Sequence, residues 1–227
     1  MRTKKAIIFS LILMTGVFQA MSQTDIQASQ TVNQLIPDGS PTGLSSSIIL
    51  SGYDTTVANI TVNLDITGTW NGDLYAYLQS GSGFAVLLNR VGSTPTDIYG
   101  YGDSGMNVTF SDSAANGNIH YYQLVAVPPT GDQLTGTWSP DGRNVSPYSV
   151  TGTETPTASL SSFNGLNIDG KWTLFVADVS GGNLNTLTSW QVDITPAPAP
   201  EPTSLCYMVA GGGLFLALLL RRKVTVK

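Results

Sequence analysis

The stretch that decides the fold runs from Gly170 to Asp178 and reads Gly-Lys-Trp-Thr-Leu-Phe-Val-Ala-Asp. Its apolar residues Trp172, Leu174 and Val176 occupy every second position, which is the period of a strand with one buried face. The same alternation predicts strands over residues 60–66, 74–78, 106–110, 172–176 and 190–194. Several short strands separated by turn residues favour an all-β sandwich or jelly roll.

Turn residues separate the predicted strands. Asn71-Gly72-Asp73 stands between the first two strands and is typical of a hairpin turn. Gly102-Asp103-Ser104-Gly105 precedes the third strand in the same way. Residues 128–159 show little periodicity, so long loops are predicted there.

The N-terminal end of the chain has the composition of an export signal. Basic residues among the first five precede the apolar stretch 6–18, and Ala20-Met21-Ser22 follows it. Small residues at the two positions that signal peptidase reads predict a signal peptide over residues 1–22, removed on export.

The C-terminal end combines a short motif, an apolar run and a basic stop. A proline-rich spacer is predicted over residues 195–203 and a membrane-spanning tail over residues 204–227. The apolar run Leu205 to Leu220 has 16 residues. As a helix it would be about 24 Å long, shorter than the roughly 30 Å core of a bilayer. The cations after it predict that the body lies outside the cytoplasm.

The sorting motif predicted here consists of Pro200, Glu201, Pro202, Arg221, Arg222 and Lys223. Together with the apolar run it resembles the PEP-CTERM sorting signal of Gram-negative bacteria. The resemblance implies recognition by an exosortase-type membrane enzyme, with transient residence in the inner membrane. Delivery to the outer envelope, the cell surface or the extracellular matrix would follow. Cys206 and the extension 224–227 depart from the pattern without breaking it.

The body between the two ends is strongly acidic. Residues 23–199 contain three basic and 14 acidic side chains, a net charge of −11. This charge excludes nucleic acid and anionic lipid as partners, while neutral glycans and divalent cations remain compatible. The length suits one domain, and no disulfide is available because the only cysteine lies in the tail.

Residues 46–194, after a lead-in at 23–45, carry blocks that match a known domain. The blocks lie at 62–66, 70–74, 103–105, 109–114, 163–165 and 170–178. They resemble the proprotein convertase P domain, also called the P/Homo B domain. The resemblance implies a jelly-roll β-sandwich of the galactose-binding-like type. In that family the domain follows a subtilisin-like protease and stabilises it, whereas residues 23–45 are too few for a protease.

The body shows no recognisable catalytic set. His120 is the only histidine, and its surroundings contain no Gly-x-Ser-x-Gly pattern. A serine hydrolase needs a nucleophile, a base and a group that orients the base, so His120 is predicted to be structural. Serine endopeptidase activity would follow only by transfer from the family. Carboxylate pairs such as Asp65 and Asp73 are typical of turn caps rather than of a glycosidase.

Calcium is the one cofactor that the sequence favours. Asp73, Asp103, Asp112 and Asp178 lie near turns that are expected to converge at one end of a sandwich. Carboxylate oxygens are the ligands that Ca²⁺ prefers, so these four are predicted as a structural calcium site.

Two tryptophans are candidate ligand platforms. Trp70 and Trp138 each follow Gly-Thr and precede a turn, whereas Trp172 and Trp190 lie in alternating strands and are expected in the core. Tyr99 is among the tyrosines that would add polar aromatic contacts. The leading hypothesis is a non-catalytic surface protein that binds or adheres to extracellular polysaccharide. The alternative is a module that docks on a separate subtilisin-like protease.

Overall fold

The computed structural model describes residues 24–198. The predicted signal peptide, the motif at Pro200 to Pro202 and the apolar tail lie outside these residues. Within 24–198 no helix is long and apolar enough to cross a membrane.

The described residues form nine β-strands joined by turns and three short 3-10 segments. The strands are β1 Ile26–Leu35, β2 Leu44–Leu50, β3 Val57–Gly68, β4 Leu74–Ser80, β5 Gly83–Asn89, β6 Met106–Phe110, β7 Leu134–Trp138, β8 Gly170–Asp178 and β9 Asn185–Pro196. All five strands predicted from the alternating pattern are confirmed, as β3, β4, β6, β8 and β9.

The strands make a two-layer sandwich. One sheet has the order β1-β9-β3-β6-β7 and the other β2-β8-β4-β5. Successive strands alternate between the sheets as far as β4, and β8 and β9 return to the interior of each sheet. Without β7 this is the strand order of an eight-stranded jelly roll, so the predicted fold is confirmed. β7 is an additional edge strand that pairs with β6 in parallel.

The core lies between the sheets and follows the period of two. Trp172, Leu174 and Val176 of β8 are fully buried, whereas Lys171 is exposed and Thr173 is half-buried. All three belong to the hydrophobic core of the domain, and burial of each large apolar side chain contributes roughly 1.5–3 kcal/mol. The stretch Gly170–Asp178 therefore forms an interior strand of its sheet, with its apolar face in the core.

The predicted hairpin between the first two strands is wrong. Asn71–Asp73 forms a 3-10 turn that carries the chain from β3 in one sheet to β4 in the other, so these strands are not a hairpin. The turn is held by the Gly72 N–H, which donates to the carbonyl oxygen of Tyr101 at 2.8 Å. A hairpin and a connection between the two sheets both need a tight turn. The turn residues therefore do not show whether the two strands that they join pair with each other.

The sandwich also begins earlier than predicted. β1 lies in the segment expected to be a lead-in, and the domain therefore starts at Ile26 rather than at residue 46. β1 is an edge strand whose side chains are largely exposed, and six of its ten residues are Gln, Asn, Ser or Thr, so alternation is weak. β7 likewise lies inside the predicted loop region 128–159.

The ends of the described chain meet at one end of the sandwich. Ile26 pairs with Ile194, and β3 runs from Val57, paired with Pro196, to Gly68, paired with Asn185. The opposite end, at which β3 ends and β4 begins, is called the distal end below. It carries the functional candidates.

Candidate functional site

A pocket of about 280 Å³ opens at the distal end of the sandwich. It is lined by Trp70, Asp73, Tyr99, Ser180, Gly181 and Asn183. These residues come from three connections: the β3–β4 turn, the loop before β6 and the β8–β9 loop. Of the two predicted platforms, the structure places Trp70 in this pocket.

Trp70 and Tyr99 form the aromatic wall of the pocket. The Trp70 indole N–H donates to the carbonyl oxygen of Tyr99 at 3.0 Å, which fixes the ring while leaving it partly exposed. Trp70 has a left-handed backbone, with φ at 62°, because the chain turns sharply there toward the second sheet. The Tyr99 side chain is 59% exposed. Two aromatic groups therefore face solvent beside polar neighbours.

Asp73 supplies the acidic part of the pocket. Its side chain is only 2% exposed, yet its contacts are long: Arg90 Nη2 lies 3.8 Å away and Asn183 Nδ2 lies 3.5 Å away. Asp178 is its neighbour, because Leu74, the residue after Asp73, pairs with Asp178 across β4 and β8. Asp178 is better satisfied, since Asn185 Nδ2 donates to it at 2.8 Å.

Both carboxyl groups are costly to ionise where they lie. Burial, and then the nearby charge of Asp178, raises the pKa of Asp73 to about 6, although the Arg90 guanidinium and the side chains of Ser180 and Asn183 act in the opposite direction. Burial also raises the pKa of Asp178. The pocket thus holds a negative charge that its surroundings compensate incompletely.

The four predicted calcium ligands do not come together. Asp103 accepts the Tyr122 hydroxyl at 2.6 Å and Gln123 Nε2 at 2.7 Å. Asp112 lies beyond the other end of β6, where it accepts the backbone N–H groups of residues 160 and 161 at 3.1 and 2.7 Å. Only Asp73 and Asp178 are neighbours. Within residues 24–198 no group of three or more His, Cys, Asp or Glu could hold a metal ion.

Trp138 is not a platform, which corrects the sequence expectation. It is fully buried at the end of β7, and its indole N–H donates to the carbonyl oxygen of Thr135 at 3.0 Å. The Gly-Thr-Trp pattern that it shares with Trp70 precedes a turn in both places, but β7 directs Trp138 inward. Trp172 and Trp190 are fully buried, as expected.

His120 belongs to a buried polar cluster, as its predicted structural role requires. Its Nδ1 lies 2.7 Å from Asp141 Oδ2, and its Nε2 lies 3.0 Å from the backbone carbonyl oxygen of Ser93. Asp141 also accepts Arg143 Nη1 at 3.0 Å. Both ring nitrogens are engaged, and neither contacts a serine hydroxyl.

Sequence reasoning missed Ser180 and Asn183, which complete the pocket. They lie in the Ser180-Gly181-Gly182-Asn183 connection, where glycines and small polar residues are typical of any turn. The register that brings this loop beside Asp73 comes from the pairing of β8 with β4, a long-range contact. The exposure of Tyr99 likewise depends on packing of the loop before β6.

Comparisons with known proteins place the chain in no family. No protein-family model matches the chain. No curated protein matches it. A chain from the crystal structure of an Aeromonas sobria serine protease in complex with a chaperone has 16% identity and a TM-score of 0.42, covering 78% of this chain and 28% of that chain. The serine protease of Aeromonas sobria has 15% identity and a TM-score of 0.38, covering 76% of this chain and 27% of that one. This chain thus spans just over a quarter of either, and the likeness carries no functional conclusion.

Proposed function

We propose that this chain is an exported, non-catalytic binding module that takes extracellular polysaccharide in the distal pocket. The observation that carries the proposal is the pocket itself, with Trp70 and Tyr99 exposed beside Asp73 and Asn183. Aromatic faces pack against the apolar faces of sugar rings. Carboxylate groups accept hydrogen bonds from sugar hydroxyl groups, and amide groups both donate and accept them. The net charge of −11 on residues 23–199 is compatible with neutral or cationic saccharides.

The position of the pocket suits a tethered protein. β9 ends at Pro196, at the end of the sandwich opposite to the pocket, and the proline-rich spacer follows it. Proline-rich segments are extended and stiff, so an anchor after the spacer would leave the pocket facing outward.

The tail is part of the same proposal. An exosortase-type enzyme would recognise Pro200 to Pro202 and the basic stop, after signal peptidase has removed residues 1–22. The intact mass of the mature protein from cell fractions tests this step. A C-terminus near Pro202 is expected, and a mature protein that retains Arg221 would contradict processing at the motif.

A second candidate is a module that docks on a separate subtilisin-like protease. The observation that favours a protein partner is the apolar loop 124–129, also at the distal end. Leu124 is 82% exposed, Val125 61% and Val127 65%. Exposed apolar residues that are contiguous in this way mark protein-interaction surfaces.

Two measurements separate the candidates. Binding to a glycan array and to the polysaccharide of the producing culture is compared between the wild type, Trp70→Ala and Tyr148→Ala. Tyr148 is 62% exposed and does not line the pocket, so Tyr148→Ala is the matched control. The proposal expects binding that only Trp70→Ala abolishes. Recovery of a protease from the culture supernatant, with no glycan bound, would favour the second candidate.

A further inference from the structure

We infer that the distal pocket selects a saccharide that carries a free, protonated amine over the same saccharide in its neutral N-acetylated form. The inference rests on the proposed function, because it names the class of saccharide that the same pocket takes. It depends on two features of the pocket, the aromatic wall and the buried carboxylate.

The aromatic wall presents the surfaces that bind organic cations. An ammonium group over the face of a tryptophan or tyrosine ring is attracted by the ring quadrupole, and tryptophan is the best such partner. The indole N–H of Trp70 is held by the Tyr99 carbonyl oxygen, so the ring is ordered before a ligand arrives. Preorganisation of this kind reduces the entropy lost on binding.

The carboxylate of Asp73 supplies the opposite charge and is poorly satisfied without a ligand. It is 2% exposed, and its contacts to Arg90 and Asn183 are 3.8 and 3.5 Å long. A hydrogen bond to a carboxylate is commonly about 2.8 Å, so these contacts leave room for a stronger donor. An ammonium group brings three N–H donors and a full charge.

The charged groups around Asp73 leave an excess of negative charge. Asp178 faces it from β8, and Arg90 faces it from the end of β5. Asp38, from the loop before β2, adds a further negative charge near Asp178. No lysine or arginine lines the pocket. A cation bound beside Asp73 would relieve the repulsion between the two carboxylates, whereas a neutral group would only desolvate them further.

A calcium ion fits these contacts less well than an ammonium group does. Calcium takes six to eight oxygen ligands, whereas Asp73 is the only carboxylate in the lining of this pocket. An ammonium group needs only a few acceptors and gains from the aromatic wall. The same negative field that would attract calcium therefore favours an organic cation here.

The test uses a matched pair of probes with the full-length protein. A tetramer of β-1,4-linked glucosamine is compared with its fully N-acetylated counterpart by calorimetry at pH about 6.5. A substantial fraction of the amines is then protonated, and most of Asp73 is ionised. We expect the free-amine tetramer to bind about tenfold more tightly, as one added charge-assisted contact would give. Asp73→Asn should remove this preference, and Trp70→Leu, which keeps apolar bulk but no ring face, should weaken binding of both tetramers.

A second probe checks the role of the Asp73 charge. Choline is charged at every pH, so its affinity for the wild type should rise about tenfold between pH 5 and pH 7, as Asp73 ionises. For Asp73→Asn the rise should be much smaller, because Asp178, the remaining carboxyl group with a raised pKa, does not line the pocket. A flat profile for the wild type would overturn the inference.

The other outcomes are equally decisive. Equal affinity for the two tetramers, lost in Trp70→Leu, would overturn the amine preference while leaving the proposed polysaccharide function intact. Absence of binding to both tetramers and to the glycan array would overturn the proposed function itself. Two calcium effects together would assign the site to a metal instead. Calcium chloride would displace the free-amine tetramer, and it would raise the melting temperature of the wild type but not that of Asp73→Asn.

Discussion

Replacing Asp73 with asparagine should make the protein more stable at pH 7, although the residue is buried. Asparagine has nearly the shape of a protonated aspartate and carries no charge. It should therefore remove the repulsion with Asp178 and the cost of burying an ionised carboxylate, while the long contact with Asn183 changes little. The variant isolates the electrostatic cost that the pocket imposes on the fold.

The magnitude follows from the raised pKa. Asp73 has a pKa of about 6 in the folded protein, against 3.8 for an unperturbed aspartate. Each unit corresponds to about 1.4 kcal/mol, so ionised Asp73 costs up to about 3 kcal/mol of folding free energy. Between these two pKa values the folded state holds the proton more tightly than the unfolded chain. The free energy of unfolding of the wild type therefore falls as the pH rises from about 4 to about 6, and levels off above that.

Urea unfolding of both proteins at a series of pH values between 4 and 8 tests this reasoning. The gap between Asp73→Asn and the wild type should be near zero at pH 4 and should reach about 2–3 kcal/mol at pH 7. The matched control is Asp112→Asn, which removes one acceptor from the backbone N–H groups of Leu160 and Ser161. It should lower stability at pH 7 by about 1 kcal/mol.

An Asp73→Asn variant no more stable than the wild type at pH 7 would contradict this electrostatic cost. A difference in stability that did not change with pH would contradict it as well. Asp178 keeps a pH dependence of its own in both proteins, so the comparison rests on the difference between them rather than on either curve.

Three further substitutions test other parts of the structure. Trp138→Ala should lower stability by about 3–5 kcal/mol in urea unfolding, because a fully buried indole is lost; a loss below 1 kcal/mol would place that ring at the surface. Gly72→Ala should weaken glycan binding about tenfold in calorimetry, because its Cβ would meet the Tyr99 carbonyl oxygen and displace that loop; unchanged affinity would show that the loop does not shape the pocket. His120→Ala should cost about 2–3 kcal/mol, because a buried carboxylate oxygen of Asp141 loses its partner; a neutral result would mean that the imidazole does not stabilise this cluster.

The sequence predicted the sheet interior well and the edges poorly. Residues 60–66 of β3 alternate between apolar and polar, and β8 has Trp172, Leu174 and Val176 at every second position, because each strand has one face in the core; that pattern is local. β1 and β7 are edge strands with mainly exposed side chains, so nothing in their composition separates them from loops. The turn at Asn71–Asp73 was correctly located, but whether it joins paired strands depends on contacts with residues far away in the chain.

The site could be predicted only in part, for a similar reason. Trp70 and Trp138 share the same local context, and burial alone separates a platform from a core residue. Asp73 and Asp178 become neighbours through the register of β4 with β8, while Asp103 and Asp112 flank the two ends of β6. The positions of aspartates in turns along the sequence do not show which of them become neighbours in the folded protein.

The most direct test of the central claim is the affinity of the wild type and of Trp70→Ala for the extracellular polysaccharide of the producing culture. The account predicts saturable binding by the wild type and a loss of at least about tenfold in Trp70→Ala, with Tyr148→Ala unchanged. Equal binding by all three proteins would show that the distal pocket is not the ligand site.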